Sequence, residues 1–149
     1  MSDPVYYFDE TAPYFEFSNF APCGFMEDGR YWPTVEHYFQ AQKFPGTPQV
    51  ETIRLAPSPQ LAKHLGQSRE YPLRPDWDQT KEAVMKRALG RKFAHPRLRA
   101  LLLDTGDRDL VEASPHDPYW GCGPDGKGLN RAGRLLMEVR KELRDQQCQ

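Results

Sequence analysis

The chain contains little of what secreted, membrane-spanning or broadly nucleic-acid-binding proteins need. Its 149 residues include only three cysteines, which are widely spaced and form no metal-ligand pattern, as is typical of a reducing compartment. It has no long apolar run, so we expect no membrane span. With 20 basic and 21 acidic residues the net charge is −1, and there is no global basic surface for nucleic acid. Residues 1–4 lack the basic and apolar regions of a signal peptide, and we predict a cytoplasmic protein.

Turn residues and apolar spacing predict an α+β protein. Strands are expected at residues 5–8, 14–17, 24–27, 30–32 and 109–113, with Asp28-Gly29 as a strong hairpin signal. Helices are expected at residues 34–44, 48–55, 59–65, 77–94, 96–103 and 130–143. We therefore predict that residues 1–149 form a single compact domain, in which a small, mainly N-terminal β-sheet is packed by several α-helices.

The most informative segment is the predicted helix that follows Thr34, a good N-cap residue. At about 100° per residue, Glu36, Gln40 and Lys43 fall within roughly 60° of each other on this helix. Such a polar stripe is usually a solvated face. Here, however, apolar and aromatic residues surround the stripe on nearly all sides, which predicts a largely buried helix. A carboxylate and an amine in such a helix need partners, a cleft, or both.

The second candidate segment is the long loop at residues 114–131, which is rich in Gly, Pro and Asp. Gly121 to Lys127 matches both GxGxxG and GxxxxGK. No apolar strand leads into this stretch, however, and Gly128 stands where a P-loop needs Ser or Thr. What remains is a glycine-rich turn that would expose backbone N–H groups at the start of the last helix. With Lys127, Arg131 and Arg134 nearby, this is either an anion site or a structural turn with solvated basic residues.

Two further residues of this loop also have two interpretations. Asp117 precedes a proline and is either a turn residue or a carboxylate that stabilises positive charge. Trp120 is either a core anchor or a surface on which a base stacks.

Together these segments resemble the NADAR family, also called YbiA-like proteins. The resemblance covers nearly the whole chain in order and rests on the sequences at residues 17–20, 32–44, 74–77, 85–89, 117–121 and 126–137. It implies an N-glycosidase that cleaves the bond between the anomeric carbon of a ribose and a nitrogen. One branch of the family acts on reactive phosphorylated intermediates of early riboflavin synthesis, and another removes ADP-ribose from guanine in nucleic acid. The resemblance implies neither a metal nor an organic cofactor.

Cleavage of a ribosyl C–N bond needs a carboxylate near the sugar, a proton donor and a group that holds the phosphate. We assign Glu36 to acid–base catalysis or to stabilisation of the sugar cation, Lys43 to attack on the anomeric carbon, and Asp117 to the second carboxylate. We expect Glu36 and Lys43 to face one cleft, with Asp117 or Trp120 on its opposite wall. The expected substrate-binding residues are Asn19, Phe20, Tyr38, Gln40, Trp120, Gly121, Asn130, Arg131 and Arg134.

Four functions stay open at this point. The near-neutral charge favours a small phosphorylated ribosylamine as substrate over ADP-ribosylated guanine. Nucleic acid is expected as a substrate only, and would need a local basic rim, for which the candidates are Lys86, Arg87, Arg91, Lys92, Arg97 and Arg99. The third function is a sensor that binds nucleotides or ADP-ribose without chemistry. The fourth is an interaction domain, which a Glu and a Lys buried without a pocket would favour. The oligomeric state is not predicted.

Overall fold

The computed structural model describes residues 3–148, so residues 1, 2 and 149 of the predicted domain lie outside it. The α+β class is confirmed. The strands are β1 (Val5–Tyr7), β2 (Phe25–Glu27), β3 (Arg30–Trp32) and β4 (Leu110–Glu112). The helices are α1 (Val35–Ala41), α2 (Gln49–Arg54), α3 (Pro59–Gln67), α4 (Trp77–Lys92), α5 (Pro96–Leu103) and α6 (Arg131–Gln147). Within residues 3–148, no helix combines the length and the apolar character that crossing a membrane requires.

The chain divides into two compact units, which are described separately. The first comprises residues 19–92, and the second comprises residues 3–18 together with residues 93–148.

The hairpin of the first unit forms as predicted. Strands β2 and β3 are antiparallel, and Asp28 and Gly29 both have positive φ angles (54° and 74°), which a tight two-residue turn requires. Phe25 and Trp32 face each other across the strands and are buried. Their rings meet Tyr38 of α1 edge to face, with centroids 5.8 and 5.2 Å away. The hairpin therefore packs its apolar face on α1.

Helix α1 is the centre of the first unit, because α2, α3 and α4 all pack against it and bury its seven residues. The predicted cap is present, since Thr34 Oγ1 accepts the N–H of His37 at 3.1 Å. The helix ends at Ala41 rather than at residue 44, because the N–H of Lys43 turns back to the carbonyl of Gln40. Lys43 thus lies just beyond the helix.

In the second unit, β1 pairs in parallel with β4, with Val5 opposite Leu110. The strands therefore form two separate pairs rather than one sheet. The predicted strand at residues 14–17 is wrong, because Phe15–Phe17 forms a 3₁₀ helix. This turn packs the Phe17 ring against those of Tyr7, Tyr14 and Phe93, which buries the ring without a strand partner. Helix α6 packs on β4 and α5.

Candidate active site

A buried carboxylate in the first turn of α1 is held by a side chain one turn later. Glu36 is 6 % exposed, and its backbone N–H donates to the carbonyl of Asn19 at 3.1 Å. Nε2 of Gln40 donates a hydrogen bond of 2.7 Å to Oε2 of Glu36. The N-terminal end of a helix favours negative charge, and residues four apart lie on one face. The local sequence therefore positions this carboxylate.

The carboxamide of Gln40 is itself fixed by a glycine of α3. Its Oε1 is buried and has no hydrogen-bond partner. A Cβ added at Gly66 would overlap this oxygen and the adjoining carbon, so the oxygen lies against the Cα–H of Gly66. A contact of this kind is a weak C–H···O interaction. Only glycine at position 66 admits Gln40 in this orientation.

The amine of Lys43 lies in an environment that disfavours its charge. Lys43 is 9 % exposed, and its Nζ donates to the carbonyl of Gly66 at 3.3 Å and lies 5.9 Å from the ring centroid of Trp77. Burial, against the opposing effect of Glu36 and with smaller contributions from Arg69 and Lys63, lowers the pKa of Lys43 to about 8. A lysine with this pKa is partly neutral near physiological pH and can act as a nucleophile.

Sequence reasoning missed three residues that touch Lys43 or share its acceptor: Gly66, Arg69 and Trp77. The helix predicted at residues 59–65 continues to Gln67, so Gly66 lies inside α3. Trp77, whose ring lies 5.0 Å from that of Phe39, belongs to the Arg74-x-Asp76-Trp77 pattern of the resemblance, which was a usable signal. Nothing local marks Arg69.

Tyr38, predicted to contact the substrate, has another role. It lies about 160° around α1 from Glu36 and packs between the hairpin rings. Burial raises the pKa of its hydroxyl. Since the ring is used for packing on the far side of the helix, a contact between Tyr38 and the substrate stays a prediction. Asn19 and Phe20 are half-buried and lie a few residues before β2, and the carbonyl of Asn19 accepts the N–H of Glu36 as described.

The remaining predicted residues belong to the second unit. Oδ1 of Asp117 accepts the N–H groups of Tyr119 and Trp120, each at 2.9 Å, so the turn interpretation holds for this oxygen. Trp120 is half-buried, and its ring lies 4.8 Å from that of Tyr119. Gly121 is buried, and an added Cβ would overlap the carboxylate of Glu112. The shared cleft predicted for Glu36, Lys43 and these residues stays a prediction.

The predicted exposed amides at the start of α6 are occupied. The N–H groups of Arg131 and Ala132 donate to the carbonyls of Tyr119 and Trp120, each at 3.0 Å. The N–H of Gly128 donates to the carbonyl of Cys122 at 2.7 Å. The loop folds back so that its own carbonyls cap the helix, which sequence spacing does not reveal. An anion site built on free amides at these three positions is therefore wrong.

Asn130 and Arg134 also make internal bonds. Nδ2 of Asn130 donates to the carbonyl of Leu110, and its Oδ1 accepts the N–H of Glu112, both at 2.9 Å. This carboxamide ties α6 to β4. Arg134 is exposed, and its Nε donates to the carbonyl of Leu129 at 3.0 Å. Arg131 is half-buried. Substrate contacts by these residues stay predictions.

Among the described residues, the first unit therefore contains a candidate catalytic pair. It consists of the fixed carboxylate of Glu36 and the amine of Lys43, whose pKa is lowered and which lies beside an aromatic ring. Among residues 3–148, no cluster of three or more His, Cys, Asp or Glu side chains is placed to hold a metal ion. The arrangement suits a proton donor or charge stabiliser that acts together with an amine nucleophile.

Comparison with known proteins points to the same chemistry. The NADAR domain family matches residues 6–144. The N-glycosidase YbiA of Escherichia coli (strain K12) is 50 % identical over 145 residues, which cover 96 % of this chain and 91 % of that protein. The NMR structure of the E. coli protein YbiA has a TM-score of 0.90 at 48 % identity, and the match covers all of this chain (100 %) and 90 % of that one. The chloroplastic riboflavin biosynthesis protein PYRR of Zea mays is 49 % identical over 143 residues, covering 85 % of this chain and 23 % of that protein.

Proposed function

Because the chain belongs to the NADAR domain family, we propose that it hydrolyses the ribosyl C–N bond of phosphorylated intermediates of early riboflavin synthesis. It is an N-glycosidase, a hydrolase of N-glycosyl bonds, as its close relatives are named. Relatives named as riboflavin biosynthesis proteins support the pathway. The observation that carries the catalytic assignment is Lys43, whose buried amine has a pKa of about 8 and interacts electrostatically with the carboxylate of Glu36.

In this proposal the neutral Nζ of Lys43 attacks the anomeric carbon of the opened sugar. The bond from that carbon to the base nitrogen breaks, and the nitrogen leaves as an amine after it takes one proton from Glu36 and one from the attacking amine. Water hydrolyses the protonated imine left on Lys43: its oxygen becomes the carbonyl oxygen of the released sugar, one of its protons completes the amine of Lys43, and the other goes to Glu36. If no imine forms, the carboxylate of Glu36 instead stabilises the positive charge on the sugar.

Asp117 is the proposed second carboxylate. Its Oδ1 is taken by two backbone N–H groups, so Oδ2 is the atom we assign to the substrate. Trp120 is proposed to stack on the base, and Asn19 and Phe20 to line the sugar. Arg131 and Arg134 are proposed to contact the substrate through their guanidinium groups.

The alternative substrate, ADP-ribosylated guanine in nucleic acid, has less support. Of the basic residues expected to form a rim on α4, Arg87 and Arg91 both pair with Glu27 at 3.1 Å, and Lys92 is buried. A phosphate backbone would compete with this carboxylate for the two arginines. We therefore favour the small metabolite. We also propose a cytoplasmic location, in keeping with the few, dispersed cysteines.

A direct assay of purified protein tests the proposal. Phosphorylated ribosylaminopyrimidines and ADP-ribosylated guanine are supplied in parallel, and release of base and sugar is followed by mass spectrometry. We expect the protein to cleave the phosphorylated ribosylaminopyrimidines. Turnover of ADP-ribosylated guanine alone would assign the other branch. Binding without turnover, unchanged in Lys43→Ala, would make the protein a sensor.

Borohydride added during turnover tests the covalent step, because reduction locks an imine. We expect a sugar adduct on Lys43 and loss of activity, and Lys43→Arg should be inactive. Lys141→Arg, at an exposed position of α6, is the matched control and should retain full activity. An active Lys43→Arg variant with no trapped adduct would leave Glu36 and Asp117 as a two-carboxylate hydrolase.

A further inference from the structure

A second cation shares the hydrogen-bond acceptor of Lys43. Nη1 of Arg69 donates to the carbonyl oxygen of Gly66 at 3.1 Å, and Nζ of Lys43 donates to the same oxygen at 3.3 Å. The two nitrogens are therefore no farther apart than the sum of these distances. Lys63 of α3 adds a third positive charge that acts on Lys43. Positive charge converges at one end of the candidate site.

The charge of Glu36 opposes part of this positive charge at Lys43, but it does so without an ion pair. Within residues 3–148, no carboxylate lies at salt-bridge distance from either Lys43 or Arg69. Arg74, a few residues later, shows the ordinary arrangement, in which the guanidinium is paired with Asp76 at 2.7 and 3.0 Å. Like charges held this close repel each other, and an anion bound beside them removes that repulsion.

The guanidinium of Arg69 is oriented but only partly used. Its Nη1 is held by the carbonyls of Gly66 and Ser68, at 3.1 and 3.0 Å, and these bonds do not involve Nε or Nη2. The residue as a whole is exposed. A guanidinium edge that is fixed on one side and open on the other fits a phosphate with two parallel hydrogen bonds.

We propose that Arg69 binds the phosphate of the substrate while Lys43 acts on the anomeric carbon of the same sugar. The inference rests on the proposed function for the identity of the ligand. Arg69, which lies next to the proposed nucleophile, thus takes the phosphate-binding role that the sequence assigned to the backbone amides at the start of α6, since those amides are occupied. The separation of the two cations is comparable to the length of one ribose, so a single ribosyl phosphate reaches both.

Binding of ribose 5-phosphate and of ribose, measured by calorimetry, tests this inference without requiring turnover. Arg69→Gln should weaken binding of ribose 5-phosphate by roughly 10- to 100-fold, the loss expected for charge-assisted hydrogen bonds, and leave binding of ribose unchanged. The affinity of Arg69→Lys for ribose 5-phosphate should lie between those of the unmodified protein and Arg69→Gln, because lysine keeps the charge but cannot donate two parallel hydrogen bonds. Lys141→Gln, which removes an exposed positive charge from α6, is the control and should bind both probes as the unmodified protein does.

Kinetics give a second readout. Arg69→Gln should raise the KM of a phosphorylated substrate but not that of its dephosphorylated counterpart. It should also shift the acidic limb of the pH profile to higher pH, because one of the charges that lowers the pKa of Lys43 is gone. Circular dichroism melting establishes that the variant is folded.

Two results would overturn the inference: ribose 5-phosphate that does not bind the unmodified protein, or a variant that binds both probes equally well or loses both equally. If Arg69→Gln loses only the phosphorylated probe while no ribosylamine is cleaved by the unmodified protein, the phosphate site stands and the proposed function fails.

Discussion

Nε2 of Gln40 donates a 2.7 Å hydrogen bond to the buried carboxylate of Glu36, and the other end of the same carboxamide lies against Gly66. One side chain thus links the proposed acid on α1 to a helix whose carbonyl holds the proposed nucleophile, Lys43. The geometry of the two reactive groups therefore depends on how α1 packs against α3.

Replacing Gln40 should impair catalysis more than binding. Gln40→Leu removes the donor to Glu36, and a misplaced acid should lower kcat by roughly 10- to 100-fold with little change in KM. Loss of a bond to a buried charge should also lower the free energy of unfolding by about 2 kcal/mol. Steady-state kinetics and urea unfolding check both effects. Gln42→Leu, at the half-buried C-cap, is the control. Equal kcat values in the two variants would contradict a positioning role.

A methyl group at position 66 should disturb the site through Gln40. Gly66→Ala places Cβ into the carboxamide, and overpacking of this kind lowers the free energy of unfolding by about 1–3 kcal/mol. The displaced Gln40 should release Glu36 and lower kcat. Gly90→Ala on α4 is the matched control, because its added Cβ meets no atom within 4 Å beyond its chain neighbours and the backbone of its own helix. Better helix propensity should stabilise that variant by about 1 kcal/mol. A crystal structure of Gly66→Ala with Gln40 unmoved would rule out the clash.

The positive charge of Lys43 should lower the free energy of unfolding and make both stability and activity depend on pH. Its pKa is about 8 in the folded protein, below the ordinary 10.5, so between these values the unfolded chain binds a proton that the folded protein does not. The free energy of unfolding should therefore rise between pH 8 and pH 10.5. Below pH 8 the lysine is charged in the folded protein, and the full cost of burying that charge applies. Lys43→Met should therefore raise the free energy of unfolding at pH 7 by about 1–3 kcal/mol, and the gain should vanish at high pH.

The same pKa predicts how the rate of the enzyme depends on pH. The unmodified enzyme should lose activity about tenfold per pH unit well below pH 8, because only the neutral amine attacks. Urea unfolding and initial rates between pH 6 and about 10 test both statements. A Lys43→Met variant that is less stable at pH 7 would show that its ammonium is well accommodated.

Asn130 should matter for folding, because both ends of its carboxamide bond to β4. Asn130→Gly preserves the positive φ angle of 51° but removes the two bonds to β4, which should lower the free energy of unfolding by about 1–3 kcal/mol. Asn130→Ala should lose about 1 kcal/mol more, because its Cβ disfavours this conformation. Steady-state kinetics below the unfolding temperature test the predicted substrate contact separately. A raised KM in the stably folded glycine variant would support that contact, and an unchanged kcat/KM would contradict it.

The sequence by itself determined the local features. The hairpin follows from Asp28-Gly29, because few residue pairs adopt two positive φ angles in succession. The cap at Thr34 and the narrow polar arc of α1 predicted a buried helix that carries Glu36 and Gln40, and the structure confirms this burial. These features depend on the preferences of neighbouring residues and on the helical repeat, which the chain encodes over short distances.

Only the tertiary structure decided which distant residues contact α1 and Lys43. Gly66 and Arg69 are more than twenty positions from Lys43, and only the packing of α3 on α1 brings them together. Packing also turned Tyr38 towards the hairpin and supplied loop carbonyls to the amides at the start of α6. Such contacts depend on how distant segments pack, and periodicity within one segment contains no information about the partner that will satisfy a side chain or an N–H group.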